Sequence, residues 1–212
     1  MKIDKSMIPA EIIAQTKSTL ERIAEIDSYG AGKSLNAGEK VDRRISDNKE
    51  MIIQLTQEIY TPIVFNVVGE IYQAVYLAPA WAPFNERAPS FAKKGEWTLI
   101  DKEDLGKGRD SRIFKETFSD YKLVKFDVSR TPHFPLGVKP NTFDLCVFSF
   151  DRAEDCSFYR AADLLLKDKR QGVLMTHPST AETMLSMADT HYSVLFDPEN
   201  SHCQYVMLLK KV

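Results

Sequence analysis

Asp127 closes the apolar run Leu123, Val124, Lys125, Phe126 within a segment, Tyr121 to Arg130, that reads as a β-strand. A carboxylate at the carboxyl end of a parallel strand faces the crevice where open α/β sheets hold ligands. The alternative is a strand-end carboxylate that caps a loop or pairs with Arg130. A glycine loop supplies a second candidate. Asp104, Leu105, Gly106, Lys107 and Gly108 follow the strand-like run Glu96 to Asp101 and precede a helical run, Ser111 to Phe118. Strand, glycine loop, helix, strand is the order of a nucleotide-binding βαβ unit, in which glycines admit the ligand close to the backbone and the helix start carries partial positive charge. Asp101, Lys102, Glu103 and Asp104 put charge where that strand should stay apolar, so an exposed charged turn is the competing reading. The third candidate is His177, which follows the apolar run Gly172 to Thr176 and precedes Pro178. Of His133, His177, His191 and His202 it alone falls on the ligand side of such a sheet, where an imidazole can act as acid or base. A structural loop histidine is the alternative there.

Other chemistries find little support. Gly30, Ala31, Gly32, Lys33 and Ser34 resemble the tail of a phosphate-binding loop, but Asp27 stands where its first glycine belongs and an amphipathic helix, not a buried strand, precedes it. The segment reads as a helix connector. There is no G-x-S-x-G and no cysteine with an obvious partner histidine. The cysteines, Cys146, Cys156 and Cys203, are odd in number and far apart, which argues against a disulfide framework and for a reducing, intracellular setting. Cys146 and Cys203 lie in apolar runs that favour buried thiols. No zinc-binding pattern exists, and no metal site is expected.

The 212 residues allow one domain with an extension, and a composition 43% hydrophobic and 27% charged is that of a globular chain. A net charge of −2 lacks the footprint of an obligate nucleic-acid binder. Ten Lys or Arg fall between residues 93 and 130, but eight acids fall there too, so the patch nearly cancels unless the fold sorts it by face. No run reaches the roughly 18 apolar residues of a membrane helix. The first residues have mixed charge and no apolar signal core.

The elements that must position these groups follow in order. Residues 9 to 28 read as a helix with Ile12, Thr16, Leu20 and Ile23 on one face. A second helix is expected from Asp47, with Glu50 completing a capping box. Thr61 and Pro62 read as cap and first position of a third, Ile63 to about Leu77, apolar nearly all round and therefore buried or held by a protein partner. Pro79, Pro83 and Pro89 break regular structure, and Trp81 and Phe84 there suit packing anchors. The expected division is a helical N-terminal extension, 1–78, a proline-rich connector, 79–95, and an α/β domain, 96–212. In that domain strands alternate with helices, a helix is expected over Asp155 to Lys167, another from a Ser179–Glu182 capping box, and Val194 to Phe196 with Tyr205 to Leu209 close the sheet as an antiparallel pair ending on an edge strand.

This plan resembles that of the class I S-adenosylmethionine-dependent methyltransferases, a Rossmann-like, mostly parallel sheet ending in a reversed hairpin. Phe143 to Phe148 looks like their fourth strand, and Ala161 to Gly172 like their following helix and turn. A narrower resemblance is to the nucleolar rRNA-processing methyltransferases, carried by Phe126, Asp127, Val128, then Pro135 and Leu136, by Asn141 to Ser149, and by Asn200, Ser201, His202. It covers roughly residues 121 to 212. It implies S-adenosylmethionine as cofactor, with Asp104, Gly106, Gly108, Asp127 and Phe150 around it and Asp127 on the adenine amino group. It also implies Phe150, Asp151 and Arg152 facing the substrate, with Asp151 and His177 as candidate catalytic residues. RNA or a ribonucleoprotein is the implied partner, in the nucleus, nucleolus or cytoplasm. The family's second strand ends in an acid that holds the ribose. The twelve residues between Gly108 and Tyr121 leave no room for it. One strand is therefore expected to be missing, which favours a degenerate, non-catalytic assembly module over an active enzyme.

Overall fold

The computed structural model describes residues 1–31, 38–78, 95–101, 121–125, 138–148, 156–168, 171–187, 191–203 and 205–211. The elements are β1 (Lys2–Ile3), α1 (Ala10–Ala31), α2 (Gly38–Val68), β2 (Gln73–Ala78), β3 (Glu96–Asp101), β4 (Tyr121–Lys125), β5 (Leu145–Phe148), α3 (Cys156–Leu165), β6 (Val173–Thr176), α4 (Pro178–Ser186), β7 (Tyr192–Asp197) and β8 (Val206–Lys210). The eight strands form one sheet in the order β1-β7-β8-β6-β5-β2-β3-β4. From β6 to β4 every neighbouring pair is parallel, whereas β8 runs antiparallel to β6 and to β7, and β1 antiparallel to β7. This is the expected Rossmann-like methyltransferase sheet with its C-terminal antiparallel hairpin.

Period-two alternation gives the sheet two apolar faces. Ala74, Tyr76, Leu145, Val147, Val173, Met175, Met207 and Leu209 join one core with Ile23 of α1 and Ile59, Ile63 and Val64 of α2. Val75, Leu77, Cys146, Phe148, Leu174, Val206 and Leu208 join the other with Tyr159, Ala162 and Leu165 of α3 and Ala181 and Met184 of α4. Helices therefore cover both faces, which explains the near-continuous apolar runs of the central strands.

The N-terminal third departs from the sequence reading. No helix starts at Thr61. Pro62 lies inside α2, which runs through to Val68. A proline inside a helix costs about 3 kcal/mol. The stripe Leu55, Ile59, Ile63 continues unbroken across it, and Ile59, Ile63 and Val64 are fully buried, each worth roughly 1.5–3 kcal/mol, so burial outweighs the break. The helix then stops early. Gly69 sits at φ +85° and its N–H donates to Phe65 O (3.0 Å), a glycine helix terminator. Gln73 to Ala78, expected as the tail of a helix, is instead the strand between β5 and β3. The helical extension thus gives way to the sheet before residue 78, and of the apolar run expected to be buried in the domain or against a partner, Ile63, Val64, Ala74 and Val75 lie in the chain's own core while Ile71 is exposed.

Smaller corrections follow the same logic. The helix expected from Ser179 begins at Pro178, whose fixed φ suits a first helical position, with His177 at the N-cap. The last strand is no edge, because β8 lies between β6 and β7. Lys210 is accordingly buried. Its Nζ donates to the carbonyls of Asp163 and Leu166, near the end of α3, and pairs with Asp168 (2.8 Å) and Asp163 (3.5 Å). A cation suits that end of a helix.

Polar contacts fix the elements against one another. Tyr60 of α2 donates its hydroxyl to Tyr205 O (2.8 Å) and accepts from Tyr205 N (3.1 Å), which ties the helical layer to the start of β8. Burial raises the Tyr60 phenol well above its ordinary range, so it keeps the proton it donates. At the amino edge of the sheet, Asp144 accepts from Gln73 N (2.9 Å) through one carboxylate oxygen and pairs with Lys167 (2.6 Å) through the other, while its backbone carbonyl accepts from Val173 N (2.8 Å). One residue so sets β2, β5 and β6 level. Beside it Gly172 packs so closely that a Cβ there would meet Lys167 O at 2.5 Å. His202 pairs with Asp27 of α1 at 3.3 Å. Among the described residues no helix is long and apolar enough to cross a membrane.

Two outcomes are expected in denaturant titration. Asp144→Ala should lose about 2 kcal/mol, since charge-assisted hydrogen bonds are worth about 1.5–3, and Asp144→Asn about half of that. Gly172→Ala should cost roughly 1–3 kcal/mol as an overpacked position. A Gly172→Ala protein as stable as the parent would disprove the close approach.

Candidate functional site

The connections of the sheet leave its middle in opposite directions. β2 leads to β3 on one side, and β5 leads to β6 on the other, while β2 and β5 are themselves paired. Their carboxyl ends flank a topological switch point, the place where open α/β sheets open a crevice for a ligand. The register shows what stands there. Leu77, Phe148 and Thr176 form one row across β2, β5 and β6, and Ala78, Asp101 and Lys125 another across β2, β3 and β4. Adjacent strands are about 4.8 Å apart, so Asp101 is one strand from the crevice.

Asp101 is the residue that the sequence reading passed over. It was weighed as a charge spoiling the approach to Gly106 and Gly108. With Gln73–Ala78 found as a strand ahead of it, Glu96–Asp101 becomes the second strand of the parallel set, and it ends in an acid. The expected missing strand is therefore present. The signal was legible in Glu96 to Asp101 itself, which forms a strand with the predicted bounds. What hid its place was the identity of the strand before it.

The β6 end is built from described side chains. Thr176 is fully buried and donates its hydroxyl to Phe148 O (3.1 Å), locking the carboxyl ends of β6 and β5 together. His177 follows at once, half-buried, as N-cap of α4; its carbonyl accepts from Ala181 N (2.9 Å), and its side chain does not cap the helix. Its ring lies 5.7 Å from that of Tyr205, tilted by 41°. The two residues extend the β6–β8 pairing one step past Thr176 and Val206.

The other predicted positions lie outside the described residues: Asp104, Gly106 and Gly108, between β3 and β4 in the chain, Asp127, two residues past β4, and Phe150 and Asp151, just past β5. Trp81, Phe84 and His133 lie outside them as well. Of the remaining histidines, His191 accepts from Lys211 N through its carbonyl and His202 pairs with Asp27. Among the described side chains the thiols offer no nucleophile. Cys146 is wholly buried and burial raises its pKa, while Cys203 is pushed up to about 11 by burial. Among the described residues no group of three or more His, Cys, Asp or Glu could hold a metal ion.

No family model and no curated protein matches this sequence. Solved structures do. A Methanococcus maripaludis protein, proposed to be an S-adenosyl-L-methionine-dependent methyltransferase, matches 85% of this chain and 98% of its own at 14% identity and TM-score 0.44. A Corynebacterium glutamicum protein matches 92% and 90% at 16% identity and TM-score 0.46. An Agrobacterium tumefaciens protein, predicted to be an O-methyltransferase, matches 65% and 72% at 14% identity and TM-score 0.39. At these scores the likenesses add no argument of their own. The strand order, the parallel run and the reversed hairpin make this a class I methyltransferase-like fold.

Proposed function

We propose that this chain binds S-adenosylmethionine across the carboxyl ends of β2, β3 and β4 and transfers its methyl group to an acceptor held over β5 and β6. The observation that carries the reading is Asp101, an acid at the end of the strand next to the switch-point strand. A carboxylate there can accept hydrogen bonds from both ribose hydroxyls. Ala78 ends β2 and is the register partner of Asp101. Asp127 follows β4 by two residues in the chain, and the family resemblance gives it the adenine amino group. Phe150 and Asp151 follow β5 in the chain, and the same resemblance gives them to the acceptor.

The cofactor supplies an activated methyl on a sulfonium. The chain supplies placement: Asp101 and Asp127 fix the nucleoside, and the β5 and β6 ends fix the acceptor. Effective concentration is the main source of rate in such a reaction. RNA is the acceptor class suggested by the resemblance of Asn141 to Ser149 and of the Asp127 segment to rRNA-processing methyltransferases.

A second reading keeps the fold and drops the reaction. The segment after β2, residues 79–94, contains no glycine, although the family's first loop uses glycines to admit the methionine end of the cofactor. That supports a scaffold that joins a ribonucleoprotein assembly without turnover. Calorimetric titration with S-adenosylmethionine separates the two. Micromolar binding corresponds to about 8 kcal/mol, and Asp101→Ala should weaken it at least tenfold, about 1.4 kcal/mol, with little change in thermal stability. No heat at millimolar cofactor would leave the scaffold reading. Wild-type affinity in Asp101→Ala would remove Asp101 from the site.

A further inference from the structure

We infer that His177 accepts the proton that the methyl acceptor sheds, and that Tyr205 is the positioning residue that sets its imidazole; this rests on the transferase reading above. The argument begins with the order of the strands. Asp101 and His177 follow from β3 and β6, three strand spacings apart, about 14 Å, with the crevice between them. His177 follows the carboxyl end of β6, on the other side of the switch point from Asp101. It is half-buried, stands directly after a fully buried Thr176, and leaves the capping of α4 to its backbone.

Its ring is set from outside its own element. Tyr205 packs against it at 5.7 Å, and the Tyr205 backbone is held on both its N–H and its carbonyl by the Tyr60 hydroxyl. The Tyr60 ring in turn meets Tyr205 and Phe196 edge-on at 6.1 and 6.0 Å. A ring that must meet a proton within hydrogen-bond reach needs such a rigid backing. Among the described residues, the titratable groups of the elements around His177 include Tyr205, with Tyr60 and Cys203 behind it, both kept protonated by burial, and Glu182, exposed, on α4 itself. The step is a proton transfer. The acceptor's O–H or N–H bond breaks, its electron pair stays on the acceptor atom, an imidazole N–H forms, and the proton then passes to water. Only the neutral imidazole can do this, so the rate must fall as pH falls through the His177 ionisation.

The test uses the full chain, labelled S-adenosylmethionine and a heat-inactivated total cell extract, holding RNA, protein and small molecules, as acceptor. Calorimetry with the cofactor runs in parallel. His177→Gln should bind the cofactor as the parent does, transfer methyl at least a hundredfold more slowly, and lose the acidic limb of the pH–rate profile. Tyr205→Phe, which keeps the ring and its backbone bonds, should behave like the parent, whereas Tyr205→Ala should slow transfer and displace that limb. A His177→Gln protein with parental rate and acidic limb overturns the role of His177 alone. Identical profiles for Tyr205→Ala and the parent overturn the positioning role. Absence of cofactor binding in the parent overturns the transferase reading and this inference together. Binding without methyl transfer to any extract component leaves the scaffold and ends the case for a proton acceptor.

Discussion

Everything in this molecule is hung on a six-residue strand that must satisfy both its edges and both its faces. Gln73 to Ala78 pairs with β5 on one side and β3 on the other, and Val75 and Leu77 enter one core while Ala74 and Tyr76 enter the other. A strand in that position has no water to satisfy its amides, so its hydrogen bonds must come from its neighbours. Once it is placed, the directions of the two crossovers and the position of the crevice follow. Without it Asp101 would be a stray charge.

The same demand explains what could be seen in the sequence and what could not. Half-buried or bounded strands announce themselves. Glu96 to Asp101 begins after Gly95 and ends in a charged run, and Val173 to Thr176 is fenced by Gly172 and Pro178; both were legible. Gln73 to Ala78 has apolar neighbours on both faces, so it shows neither alternation nor a helical stripe. It also follows directly on a helix whose stripe is apolar. The terminator, Gly69, is one glycine among nine, and a positive φ is invisible until the chain is folded. Pro62 misled in the opposite direction, because local preference marked a boundary that tertiary burial of Ile59 and Ile63 overrides. The candidate site was legible in part for the same reason: His177 stands after a strand that Gly172 to Thr176 announces, Asp127 lies outside the described residues, and the place of Asp101 was hidden because the strand before it reads as helix.

The two edges of the parallel set are used differently. At the amino edge charge is spent on fixing position: Asp144 with Gln73 and Lys167, and Lys210 with Asp163, Asp168 and the end of α3. These groups are paired where they stand, and they hold β2, β5, β6 and β8 in register. At the carboxyl edge the strands end on Ala78, Asp101, Lys125, Phe148 and Thr176, a mixed row with Asp101 and Lys125 as register partners. Rigidity at one edge lets the other carry groups chosen for something besides stability.

The tie between Tyr60 and Tyr205 spans 145 residues of sequence, and Met1 reaches Glu199 across 198. Such contacts give the fold a high contact order. During synthesis α1 and α2 emerge long before the hairpin that receives them, with Ile23, Ile59, Ile63 and Val64 as yet uncovered. At translation rates of about 5–20 residues per second, that wait lasts on the order of ten seconds. The layer of α1 and α2 therefore leaves the ribosome well before the hairpin and waits for it to reach final packing, and in that interval it is the surface a chaperone would meet.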